Sequence, residues 1–195
     1  MTATKPLSDR VALVTGGSRG VGQAIATRLA ADGAAVAVNY RRDEAAAAQV
    51  VAEIEAAGGT ARAYRAPVDD AEAVAAMTEA ITTDLGPVDL LVSNAGTASR
   101  GRTIADTPAD EYVRLMQVHV LGPVELIRRL LPGMRARDRS DVVVISSSIV
   151  SDTPPSGAPY TMAKAALEAA ARTLAKEARE HGVRGNIVAP GLVAT

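Results

Sequence analysis

The chain contains no cysteine, no phenylalanine and no tryptophan. Without cysteine there is no disulfide framework, no thiolate metal site and no cysteine nucleophile. With aromatics at 2%, the core has to be built from Val, Leu, Ile and Ala. Histidine is also scarce. His119 and His181 stand far apart in sequence and do not suggest a zinc site, so no metal is expected. Charge of one sign is not in excess: 21 basic against 22 acidic residues leave a net charge of −1. That balance gives no global field for gripping nucleic acid or an anionic membrane. No apolar run reaches membrane-spanning length, and the N-terminal MTATKPLSDR lacks the apolar segment of a signal peptide. The expected protein is soluble and cytoplasmic.

The 195 residues are 48% apolar and 22% charged, ordinary values for a globular chain. Short β-branched runs alternate with longer alanine-rich stretches. Strands are expected at Val11–Val14, Ala35–Asn39, Ala61–Ala66, Val88–Val92, Val142–Ser146 and Val183–Ala189. The Val88 and Val142 runs lack apolar/polar alternation, as strands buried on both faces do. Helices are expected near 20–31, 43–57, 70–84, 108–135 and 159–181. Thr107 reads as an N-cap with Pro108 at the first helical position. Asp69-Asp70-Ala71-Glu72 resembles a capping box. Gly33, Gly58-Gly59 and Gly182 punctuate helix ends. The pattern predicts one α/β domain over 1–195, a doubly wound parallel sheet of Rossmann type with helices on both faces.

The first strand runs into Thr15-Gly16-Gly17-Ser18-Arg19-Gly20-Val21-Gly22. Gly16 permits the tight turn, Gly20 lets the backbone approach a pyrophosphate, and Gly22 lets the helix pack on the strand. Free N–H groups and the helix dipole then favour an anion. At the end of the second strand, where a carboxylate would hold a ribose 2′-OH, stand Asn39-Tyr40-Arg41-Arg42. With Arg19 in the turn, these guanidiniums suit a 2′-phosphate; Arg41 and Arg42 also suit a solvated helix start. Further on, Tyr160 and Lys164 are spaced i, i+4, which puts them on one helix face. A nearby ammonium favours phenolate. Bringing a tyrosine from about 10 to near 7 needs roughly 4 kcal/mol. A serine run, Ser146-Ser147-Ser148, leaves the fifth strand where ligands of open α/β sheets bind.

Together, T-G-x-x-x-G-x-G, the serine run and Y-x-x-x-K resemble the short-chain dehydrogenase/reductase family over essentially the whole chain, closest in feel to its 3-oxoacyl-thioester reductase branch. The resemblance selects Ser147 as the catalytic serine, Tyr160 as proton donor, and Lys164 as the residue that lowers the tyrosine pKa and binds the nicotinamide ribose. It adds Ser18, Val21 and Val68 to the cofactor-binding residues. Asn94, Ala95 and Gly96 join them from S-N-A-G, and Pro190, Gly191, Val193 and Thr195 from P-G-x-x-x-T. It implies an NAD or NADP cofactor, and Arg19, Arg41 and the missing acid at the end of the second strand make NADP(H) the expected choice over NAD(H). The charge balance adds no nucleic-acid or membrane partner, and the resemblance implies a small carbonyl or alcohol substrate and a homo-oligomer, tetramer or dimer. Helices 108–135 and 159–181 would meet their symmetry mates there, the second through its alanines.

Three departures stand out. Pro67 occupies the position of an adenine-contacting Asp. His119 stands in Val118-His119-Val120-Leu121-Gly122 where the family has a catalytic asparagine. Family chains normally continue past Thr195 with a substrate loop, a helix and a strand. His119 is expected to hold a water or relay protons, titrating between about pH 6 and 7. The other readings are a neutral space-filler and a bulky obstruction. A dehydrogenase on an alcohol, sugar or steroid, and a silent NADP-binding regulator, are the rival functions.

Overall fold

The structure is a computed structural model and describes residues 5–193. Strands β1 (Val11–Val14), β2 (Ala35–Tyr40), β3 (Thr60–Arg65), β4 (Leu90–Ser93), β5 (Ser140–Ile145) and β6 (Val183–Val188) form one parallel sheet in the order β3-β2-β1-β4-β5-β6. In register, Leu13 lies between Ala37 of β2 and Leu91 of β4. The strand order reverses between β1 and β4, and in such sheets the ligand crevice opens beyond the carboxyl ends at that reversal.

Helices α1 (Gly20–Ala31), α2 (Glu44–Ala56), α3 (Ala71–Asp84), α4 (Ala109–Met116), α5 (Gly122–Arg135), α6 (Ile149–Asp152) and α7 (Ala158–Glu177) cover the sheet. Period-2 alternation divides β1 between two cores. Val11 and Leu13 pack with Met77 and Ile81 of α3, Leu126 and Met134 of α5 and Leu167 of α7. Ala12 and Val14 pack with Ala26 of α1 and Val50 and Ile54 of α2. Both cores are almost wholly aliphatic, each fully buried Val, Leu or Ile contributing about 1.5–3 kcal/mol.

Local details differ from the sequence expectations. β5 begins at Ser140, two residues early. Polar residues open it because Ser140 Oγ donates to Met134 O, and Asp141 is paired with Arg10, Arg139 and Arg184. Pro108, not Thr107, is the N-cap of α4; the Thr107 hydroxyl donates back to Arg102 O and Thr103 O. Asp70 caps α3 through the Glu72 and Ala73 amides. The third helical position is therefore Ala73, which has no side-chain acceptor to complete a capping box. The expected 108–135 helix is interrupted by a π turn, Gln117–Leu121, with Gly122 N–H donating to Gln117 O. Pro123 lacks the N–H that an α-helix would send to the His119 carbonyl, so the ladder breaks there.

Candidate active site

Beyond β1 and β4 lies a cleft of about 1310 Å³. All the sequence-predicted site residues among the described ones line it; Thr195 lies outside the described residues. The glycine turn forms its floor. Gly16 has φ +62° and Gly20 φ +53°, a left-handed conformation that favours glycine. A Cβ on Gly22 would overlap the Gly16 carbonyl, so the missing side chain lets α1 sit on the turn. Arg19, the N-cap of α1, makes no side-chain cap bond, and the first turn carries no acid. The first-turn N–H groups are therefore left for an anion.

Two asparagines expected as cofactor contacts also brace this turn. Asn94 Nδ2 donates to Thr15 O at 2.9 Å and Gly16 O at 3.2 Å. Asn39, 1% exposed, accepts from Gly16 N–H with Oδ1 and donates to Tyr64 O and Ala66 O. The Asn39 side-chain amide is thus consumed inside the fold, and Asn94 spends its Nδ2 group there. Thr15, missed from the sequence, has its Oγ1 accept from the Asn94 and Ala95 amides. The Val68 carbonyl packs against Gly122, where a Cβ would overlap it.

At the cleft's far end, Tyr40 is buried, while Arg19, Arg41 and Arg42 line the opening. Arg41 Nη2 lies 3.7 Å from Asp69 Oδ2, so its guanidinium has a nearby carboxylate.

At the opposite end, α7 carries Tyr160 and Lys164, and the end of β5 carries Ser147. The serines separate by geometry. Ser146 Oγ donates to Glu168 Oε1 at 2.6 Å. Ser147 Oγ accepts from Ile149 N–H at 3.3 Å, which leaves its own proton free. Lys164 is 3% exposed, and its Nζ donates to Ile145 O at 2.6 Å. Burial pushes its pKa down to about 8. Nζ lies 5.7 Å from the Tyr160 ring centroid, and burial pushes the Tyr160 pKa up. Desolvation of the phenolate thus acts against the expected lowering, and the Lys164 ammonium is already engaged by the Ile145 carbonyl.

His119 sits in the π turn, 1% exposed. Its ring stands edge-on to Tyr160, with centroids 5.2 Å apart and planes at 89°. Nε2 lies 2.8 Å from Thr97 O, and Nδ1 has no hydrogen-bond partner. Burial, reinforced by the positive charges of Lys164 and Arg114, pushes its pKa down to about 4 against one bond that raises it. A titration between pH 6 and 7 does not fit this site; the imidazole is neutral there. A Cβ on Gly96 would come 2.7 Å from His119 Cε1, so Gly96 makes room for this ring. Glu168 was missed from the sequence. It fixes Ser146 and is itself held by Arg172 at 3.0 Å.

Comparison with known proteins agrees with this geometry. The family described as short chain dehydrogenase matches residues 10–195. An uncharacterized oxidoreductase of Methylorubrum extorquens is 38% identical over 189 residues, 97% of this chain and 75% of that protein. Over a Mycobacterium tuberculosis oxidoreductase, 36% identical across 192 residues and 97% of this chain, the chain spans 56% of the length. A blue fluorescent protein from a metagenomic library, solved with NADPH, superposes with a TM-score of 0.91 at 36% identity, covering 97% of this chain and 76% of that one. NAD+-bound xylitol dehydrogenase superposes at 0.93 with 29% identity, covering 98% and 73%.

Proposed function

The chain belongs to the short-chain dehydrogenase family and is an oxidoreductase of it; we propose that it reduces a carbonyl, a ketone or 3-oxoacyl thioester, to the alcohol with NADPH. The observation that carries this reading is one cleft with Ser147, Tyr160 and Lys164 at one end and Arg19, Arg41 and Arg42 at the other. The uncapped first turn of α1 fits a pyrophosphate, and the arginines fit a 2′-phosphate. NADPH, when bound, supplies the hydride.

The chain's own groups handle the oxygen and its proton. Tyr160, pushed up by burial, holds its phenolic proton at neutral pH and gives it to the substrate oxygen. Ser147 donates its free hydroxyl proton to the same oxygen and orients it. Lys164 has one donor on Ile145 O and two more for a ribose and for the phenolate formed after proton transfer. His119, neutral, packs the ring of Tyr160 and exchanges no proton with solvent near neutrality.

The cofactor test compares kcat/KM for NADPH and NADH. NADPH is expected to be preferred. Arg41→Asp is expected to lower kcat/KM for NADPH by about 10–100-fold, the weight of one charge-assisted bond, and to raise it for NADH. Equal values in the wild type refute the preference.

The protein is further proposed to be cytoplasmic and a homo-oligomer, tetramer or dimer. Among the described residues no helix is long and apolar enough to cross a membrane. Exposed Val113 on α4, Leu121 on the π turn, Val124 on α5 and Met162 on α7 support a covered helical face. Of the α7 alanines, Ala163 and Ala171 are buried in the chain's own core and Ala166 packs against Leu115, Val120 and Ala163, which leaves Ala165, Ala169 and Ala170 for a partner. Light scattering at micromolar concentration is expected to give a multiple of 20.0 kDa; a monomer mass overturns the oligomer.

A further inference from the structure

The cleft wall facing Tyr160 and Ser147 includes Thr97, Ala98 and Ser99. They belong to a segment, 94–103, with no regular secondary structure. Such a segment has no ladder to hold it, so its shape depends on side-chain anchors. Three anchors come from the helical stretch after it. Arg114 Nη1 donates to Thr97 Oγ1 at 3.3 Å and Nη2 to Ala98 O at 3.4 Å. His119 Nε2 meets Thr97 O at 2.8 Å. Glu111 Oε1 accepts from the Arg100 backbone N–H at 2.6 Å.

Glu111 is the unusual member. It is 1% exposed, and its Oε2 has no hydrogen-bond partner, with Arg100 Nε 4.0 Å away. Burying a carboxylate with so little compensation is costly. The short, charge-assisted bond to Arg100 N–H is its clearest return. No step of the reduction uses it, and no motif in the sequence points to it.

We propose that Glu111 is a positioning residue. Its buried carboxylate fixes the Thr97–Arg100 rim of the cleft and so sets how a carbonyl substrate fits beside Tyr160, without touching substrate or cofactor. The inference rests on the reductase reading of the cleft. Its effect falls on the substrate and not on NADPH, because the glycine turn is braced independently by Thr15, Asn39 and Asn94.

The test compares the intact wild-type protein with three variants, Glu111→Ala, Glu111→Gln and Arg100→Pro. Hydrogen–deuterium exchange reads the amides of 97–101, NADPH fluorescence reads cofactor Kd, and steady-state kinetics with a ketone reads KM and kcat. Glu111→Ala is expected to speed Arg100 amide exchange at least about tenfold. It should also raise the ketone KM about fivefold or more with NADPH Kd within about twofold of wild type. Glu111→Gln keeps an acceptor oxygen and is expected to restore both readings. Arg100→Pro deletes the donating N–H from the loop side and leaves α4 intact, so it should reproduce the KM rise even if Glu111→Ala does not fold. An unchanged KM in Arg100→Pro and Glu111→Ala, with wild-type turnover present, overturns the inference alone. Glutamine behaving like alanine also overturns it. A wild type that binds NADPH but turns over no carbonyl overturns the reductase reading, and the inference with it.

Discussion

Tyr160→Phe is expected to lower kcat by about 10²–10⁴-fold, the range a positioned proton donor contributes, while leaving NADPH affinity nearly unchanged. The substitution deletes one oxygen. The ring stays, and with it the edge-on contact to His119 at 5.2 Å and the packing against the small cluster of Leu115, Val120 and Ala163. Folding therefore should not suffer. Ser147 would still polarise the carbonyl, but no other group in the cleft is poised to deliver a proton at neutral pH. Lys164, with one donor on Ile145 O at 2.6 Å, turns its others to the ribose and the phenolate and acts on the carbonyl only through Tyr160. His119 is held far below neutrality, at about 4, so it carries no proton to give. Single-turnover kinetics with fluorescence titration of NADPH separates the chemical step from binding. Residual turnover within about tenfold of wild type would remove Tyr160 from the donor role.

Much of this was legible in the sequence, and the residues that were not share a physical reason. The glycine turn and the i, i+4 pair Tyr160 and Lys164 are local patterns, visible because spacing along the chain decides them. β4 and β5 read as doubly buried strands because both faces are covered by helices. The polar start of β5 was hidden, since Ser140 and Asp141 are buried only through partners such as Met134 O and Arg10. Glu111 and Glu168 were equally silent. Their partners lie 11 and 22 residues away, a separation no periodicity encodes. Asn39 and Asn94 were found, but the bonds with which they brace the turn were not, because only the fold shows which way an amide faces. The direction of the Tyr160 shift and the titration range of His119 differ from expectation for one reason: burial was not readable from spacing, and here it dominates both.

Lys164→Met is expected to remove turnover and, below pH 8, to make the protein more stable. Burial holds the lysine at about 8 against an ordinary 10.5. The unfolded lysine still titrates near its ordinary value. Between about pH 8 and 10 the unfolded chain therefore binds more protons than the folded one, and stability rises with pH across that window. Below about 8 the cost of a buried ammonium is present in full. A fall from 10.5 to about 8 corresponds to about 3 kcal/mol. Methionine follows the lysine stem as far as Cε and carries no charge. It forfeits the bond to Ile145 O, which returns about 1–2 kcal/mol of that gain. The stability advantage of the variant is thus expected to be about 1–2 kcal/mol at pH 7 and to vanish or reverse by about pH 10, where the wild-type lysine is neutral. Urea unfolding of both proteins at pH 7 and near pH 10 measures it. A stability difference that does not change with pH would show that Lys164 is not held charged against burial. The cost belongs to the site: the fold keeps an ammonium where hydrocarbon would be more stable, beside the one hydroxyl whose proton the reaction needs.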